Sequence, residues 1–327
     1  MLKRLHDAST TIQFVVILFV LLLLWVPRFI FPENTLTSYE IDNELFNMLF
    51  GWIGRHTALT LSISLIFILI SALMMKLSLN YERLRISGNY FPVLIFIVFA
   101  SGINIGTFSP QILLLLFLVW VTQLLFIALE VLENDGLLFF LAMFLGFASF
   151  FYPPVLIFLL FMIVIVIVSE NEKFRKILLL LLAFIFPWIW IVAICYFANS
   201  LDFIVRFWET AFFIPKLPRF DNLLTTIYAG IFLIVVGIFV VDRFLRHKET
   251  LIIIRRRSDI SVIMTIFIFI GAFFSYDFYE HLMLMAIPVT SMMAYTYHEG
   301  VKSRWFDYML SGFILITIIC SILNICP

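Results

Sequence analysis

Residues 11–31 read TIQFVVILFVLLLLWVPRFIF, with Thr11, Gln13 and Arg28 as the only polar side chains in the run. A continuous apolar stretch of about 20 residues is the length that crosses the hydrocarbon of a bilayer as one helix. Met1-Leu-Lys-Arg-Leu-His-Asp precedes it and has the basic character of a signal-sequence start. The apolar run is too long for a signal peptide, and no small-x-small cleavage site follows it. It therefore reads as a retained first transmembrane helix that also serves as the targeting signal.

The rest of the chain repeats this theme. Of its 327 residues 64% are hydrophobic, 18% aromatic and only 13% charged, with 40 phenylalanines. An ordinary globular domain carries about 45–50% apolar and about 25% charged residues. A mean hydropathy of +1.13 cannot be hidden inside one soluble core. The surplus apolar surface needs lipid as its solvent, in segments that satisfy their own backbone hydrogen bonds as helices. The expected fold class is all-α, a polytopic transmembrane helical bundle forming a single integral membrane domain over residues 1–327.

Apolar spans are expected at 11–31, 57–75, 90–105, 110–129, 137–151, 154–168, 177–197, 223–241, 260–274, 282–296 and 306–325, eleven in all. The segments 90–105, 137–151 and 154–168 fall short of a full crossing, and the last two are joined by Tyr152-Pro153-Pro154. With the N-terminus inside, the inner loops hold Lys3, Arg4, Lys76, Arg83, Arg85, Lys173, Arg175, Lys176, Arg243, Arg246, Lys248, Arg255, Arg256, Arg257, Lys302 and Arg304. The outer side holds Arg28, Arg55, Arg206, Lys216 and Arg219, so the bias is 16 against 5. The positive-inside rule then gives an N-in, C-out topology.

Lys plus Arg and Asp plus Glu are equal at 21 each, so no global charge draws the chain to nucleic acid. Cys195, Cys320 and Cys326 form no paired framework and sit in or beside apolar segments. No phosphate-binding glycine loop, nucleophile elbow or zinc spacing is present. Gly102-Ile-Asn-Ile-Gly106 has the spacing of close helix packing. Ionisable residues are nearly absent from the middle of the spans, where transporters and pumps usually carry them.

Polar residues gather instead in the outer loops, chiefly 32–56 and 198–222. In the first, Ile41, Leu45, Met48, Leu49 and Trp52 recur at helical spacing behind Glu40 and Asp42, which predicts an amphipathic interfacial helix. The carboxylates would cap that helix, or hold a divalent cation, or act as a general base. In the second, Asp202, Arg206 and Glu209 share a helical stripe, and Lys216 and Arg219 follow. These suit an interfacial anchor or a basic lip for a lipid phosphate. A third cluster, Asp277, Glu280 and His281, would be a solvated turn with a structural histidine, a proton relay or an incomplete metal site.

Gly146-Phe-Ala-Ser-Phe-Phe-Tyr-Pro-Pro154, set between two short apolar halves, resembles a family of uncharacterised polytopic integral membrane proteins from Bacteroidetes. The broader layout resembles the GT-C superfamily of membrane glycosyltransferases, which use polyprenyl-phosphate-linked sugars. Glu40-Ile-Asp42 stands where that superfamily has its first-loop acidic motif, residues 146–154 match its paired short helices, and His281 through Pro288 match a late span. The resemblance implies a bacterial inner-membrane enzyme with Asp42 or Glu40 as base or metal ligand. It further implies Arg206, Lys216 or Arg219 on the lipid phosphate, with His281 lining the same cavity. A non-enzymatic scaffold in envelope biogenesis or secretion, and a transporter of lipid-linked molecules, are the alternatives.

Overall fold

A computed structural model describes residues 5, 8–30, 44–53, 56–79, 89–103, 108–130, 135–169, 173–199, 202, 204–205, 223–246, 252–275, 277–298 and 304–322. Among these residues the chain is helical with no strand. The elements are α1 (Thr10–Ile30), α2 (Glu44–Phe50), α3 (Thr57–Leu79), α4 (Phe91–Ile103), α5 (Pro110–Glu130), α6 (Asp135–Ala148) and α7 (Leu156–Ser169). They continue with α8 (Lys173–Phe197), α9 (Leu223–Arg246), α10 (Ile252–Ala272), α11 (Phe278–Leu282), α12 (Ala286–His298) and α13 (Arg304–Ile322). Single 3-10 turns, Pro153–Val155 and Met283–Met285, lead into α7 and α12.

Among the described residues six helices are long and apolar enough to cross a membrane: α1, α3, α8 and α9, with α5 over Pro110–Ile127 and α13 over Trp305–Ile322. The other expected spans are helices too, but shorter or more polar. α10 has the length, yet opens on Arg255, Arg256, Arg257 and Asp259. At 1.5 Å per residue, the 13 residues of α4 reach about 20 Å. The 14 residues of α6 and of α7 reach about 21 Å, against about 30 Å of hydrocarbon.

Two of the short helices, α4 and α12, lie in the middle, while α6 and α7 keep an exposed face with Phe140, Phe147, Leu160 and Val168. Phe91 through Gly102 of α4 and Leu282 through Tyr297 around α12 are buried on every side. A helix that is apolar all round belongs inside other protein, and here α4 packs on α3, α12, α1 and α13. α12 packs in turn on α10 and α9. The long helices α1, α3, α8 and α9 turn exposed Phe19, Ile66, Ile189, Trp190 and Ile234 outward, as a lipid-facing surface would.

Glycine sets the closest approaches. A Cβ on Gly146 would crowd the Phe184 carbonyl and come within 3.1 Å of Pro187 Cγ, so this glycine lets α6 press onto α8. Gly102, at the end of α4, touches the Tyr228 hydroxyl of α9 and would bring a Cβ to 2.9 Å of Thr317 Cγ2 on α13. Its GxxxG partner Gly106 lies outside the described residues. Gly312 of α13 has nothing within 4 Å of its Cβ position. Gly102→Ala is therefore expected to destabilise the bundle by about 1–3 kcal/mol through overpacking. Gly312→Ala should leave stability unchanged or slightly raised. Thermal unfolding of both variants in detergent checks this, and equal melting temperatures would refute the packing role of Gly102.

Candidate functional site

Tyr152 sits where the apolar pattern breaks. Its peptide is extended, and Pro153-Pro154 then start the turn into α7, because proline needs no backbone donor in a first helical turn. A second break lies opposite. α10 ends at Ala272, Ser275 follows, and Asp277 caps α11 by accepting from the backbone N–H of Tyr279 at 2.8 Å and of Glu280 at 3.1 Å. The cap is the ordinary use of aspartate before a helix.

The two breaks meet through side chains. The Tyr152 hydroxyl lies 2.5 Å from His281 Nδ1 and 2.6 Å from Ser275 Oγ. Ser275 Oγ donates to the Asp277 carbonyl at 2.7 Å and accepts from the Asp277 N–H at 3.2 Å. With Nδ1 protonated, the imidazole donates to Tyr152, Tyr152 to Ser275 and Ser275 to the Asp277 carbonyl; with Nδ1 bare, Tyr152 donates to His281, and the one Ser275 proton serves either the Tyr152 oxygen or the Asp277 carbonyl but not both. Tyr152 and His281 are both 0% exposed, and their rings stack at 5.6 Å. Gly271 makes room for the imidazole, since a Cβ there would stand 2.7 Å from Nε2. Glu280 beside it is also buried.

This junction is one part of a polar belt at the same end of the bundle. On α1, Trp25 Nε1 donates to Ser101 Oγ at 3.1 Å and Arg28 Nη2 donates to the Ser101 carbonyl at 2.5 Å, closing the end of α4. A cation at a helix C-terminus also suits the helix dipole. On α9, the Tyr228 hydroxyl pairs with Thr317 Oγ1 at 3.0 Å, and Thr226 with the Tyr279 hydroxyl at 3.1 Å. At the tip of α6, Ser149 Oγ accepts from Trp188 Nε1 at 3.0 Å. The belt thus links α1, α4, α9, α13, α11, α7 and α8.

Its residues lie short of the ends of three long helices. α1 continues five residues past Trp25 and α9 begins five before Tyr228, each about 7 Å. α8 continues nine residues past Trp188, about 14 Å. α4 and α6 end at the belt, whereas α1, α8 and α9 continue past it.

Of the expected site residues, the structure describes His281, and it gives this residue buried partners rather than a solvated turn. Glu40, Asp42, Arg206, Lys216 and Arg219 lie outside the described residues. Among the described residues no three His, Cys, Asp or Glu side chains group as metal ligands. Tyr152, Ser275 and the Arg28–Ser101 contact are additions that the loop-by-loop reading did not supply. The tyrosine ahead of Pro153-Pro154 between two half-length apolar runs was their one sequence signal. Comparison with protein-family models, with curated proteins and with solved structures finds no match for this chain.

Removing the Tyr152 hydroxyl leaves His281 and Ser275 without their shared partner. Tyr152→Phe is expected to cost about 1–3 kcal/mol. Gly271→Ala, which pushes on the imidazole, should act in the same direction, and the two together should cost less than their sum because they disturb one contact. A double-mutant cycle by chemical or thermal unfolding tests this, and full additivity would sink it.

Proposed function

We propose that the polar belt floors a headgroup-binding recess on the outer face of a bacterial inner membrane, and that the chain is a multi-pass enzyme of GT-C type. In this reading the chain crosses eleven times, N-in and C-out. It takes a sugar from a polyprenyl-phosphate carrier within the recess. The observation that carries the reading is the depth of the belt: buried polar side chains collect where the short helices stop, about 7–14 Å inside the ends of the long ones. A phosphate and sugar carried on a lipid would reach polar groups at that depth without leaving the membrane boundary.

Within this proposal Asp42 or Glu40 serves as base or holds a divalent cation at the acceptor. Arg206, Lys216 and Arg219 contact the lipid phosphate, because guanidinium and ammonium groups make charge-assisted bonds to it. His281 and Tyr152 stiffen the floor beneath them. A second reading, a non-enzymatic membrane scaffold, is favoured by one specific observation: His281 and Tyr152 are sealed and bonded to each other, as groups that pin helices would be.

Purification in native lipid with mass spectrometry separates the two. Wild-type protein should carry polyprenyl-phosphate species, and Arg206→Ala should carry about tenfold less, equivalent to about 1.4 kcal/mol of binding. Asp42→Asn should keep the lipid and lose transfer of its sugar. Bulk phospholipid alone, unchanged by either substitution, would refute the enzyme and leave the scaffold.

A further inference from the structure

Two neutral polar side chains at the start of α5 are sealed inside the bundle. Ser109 is 5% and Gln111 3% exposed. Among the described residues, neither Ser109 Oγ nor Gln111 Oε1 has a hydrogen-bond partner. The helix does not use the serine hydroxyl as its cap. The Ser109 carbonyl accepts from the N–H of Ile112 at 3.1 Å and of Leu113 at 3.4 Å, and Pro110 has no N–H to satisfy. Buried polar atoms are bonded in nearly all native structures, so a bare pair at one place asks for an occupant. An apolar side chain at either position would fill the same space without the desolvation penalty.

Three contacts set this pair beside the polar junction. Thr122 Oγ1 of α5 lies 3.8 Å from Met264 Sδ of α10, and the Arg257 guanidinium of α10 lies 5.1 Å from the Phe126 ring of α5. The two helices are therefore antiparallel, and each rises about 1.5 Å per residue. Gln111 stands 11 residues before Thr122, and Ser275 stands 11 residues after Met264, which brings the start of α5 to the level of the Tyr152–Ser275 contact. Phe108, just ahead of Ser109, agrees with this register. Its ring is 5.5 Å from Phe50, which is 6.3 Å from Phe151, the neighbour of Tyr152. α5 also packs on the Met283–Met285 turn, two residues past His281.

The chemistry of the pair selects its ligand. The Gln111 carbonyl oxygen needs a donor, and the Ser109 hydroxyl both donates and accepts. A phosphate oxyanion brings acceptors only, and neither side chain carries a charge to hold it. A hydroxyl donates and accepts, so a group bearing several hydroxyls answers both residues at once. We propose that Ser109 and Gln111 form a subsite for the hydroxyl groups of a sugar. The proposal rests on the recess reading above, and it adds the residues that recognise the sugar apart from its phosphate.

The test uses the full chain in phosphatidylcholine nanodiscs, with binding read by native mass spectrometry. The probes are a polyprenyl-phosphate hexose, the same polyprenyl phosphate without sugar, and free hexose. Wild-type protein should hold the sugar-bearing carrier about tenfold more tightly than the bare one. Gln111→Leu and Ser109→Ala should hold both alike, at the bare carrier's affinity. With no probe added, Gln111→Leu should melt no lower than wild type, because its amide oxygen has no hydrogen bond to lose. A melting temperature several degrees lower would overturn the inference in favour of a structural water joining the two residues. A tenfold preference kept by both variants would overturn it outright. Equal binding of both carriers by wild type would overturn the subsite and leave the recess reading standing. Binding of no probe would refute the recess reading and the subsite with it. Free hexose bound as tightly as the carrier, and lost in Gln111→Leu, would keep the subsite and overturn the lipid as its source.

Discussion

A backbone in hydrocarbon has no water to satisfy its N–H and C=O groups, and each one left bare costs several kcal/mol. The chain meets that constraint by making every described apolar segment a helix. Helix length then becomes the variable that shapes the molecule. Helices of 21–25 residues match the bilayer, while those of 13–14 residues fall short of it; α4 and α12 are buried on every side, whereas α6 and α7 keep exposed Phe140, Phe147, Leu160 and Val168. A short helix also ends inside the bundle, where its last carbonyls and first N–H groups need partners.

The polar belt follows from those ends. Arg28 and Ser101 close α4, Asp277 caps α11, and Ser149 and Tyr152 occupy the turn that joins α6 to α7. Each group is polar because a terminus is there, and each terminus is there because a helix is short. The belt therefore has a structural origin before it has a functional one. The buried network also ties the two helix breaks to each other, so the tip of α6 and the start of α12 hold one relative position.

Much of this was legible in the sequence. The positions of the helices follow the apolar runs, and the half-length runs around Tyr152-Pro153-Pro154 identified the broken pair in advance. What the spacing could not show is which helices are central. α4 and α1 are both almost wholly apolar, yet one is buried on all sides and the other largely exposed. Composition alone does not separate lipid from protein as the neighbour, because both are apolar. Long-range polar pairs were invisible for a related reason: Tyr152 and Ser275 are 123 residues apart, and no local period marks two residues that meet only after folding.

His281 illustrates how the two levels combine. In the sequence it stands beside Asp277 and Glu280, which suggests a shared solvated face. In the structure Asp277 turns back to cap the helix, whereas the imidazole points inward between Tyr152 and Gly271. One short helix thus separates a capping carboxylate from a buried base four residues later. An apolar side chain of similar size would fill the same space without needing a partner, so the histidine, the tyrosine and the glycine make sense only as a set. A set of this kind either fixes helix geometry or supplies a proton-exchanging group. The observed bonds do the first, for they join the turn before α7 to the end of α10 and to α11.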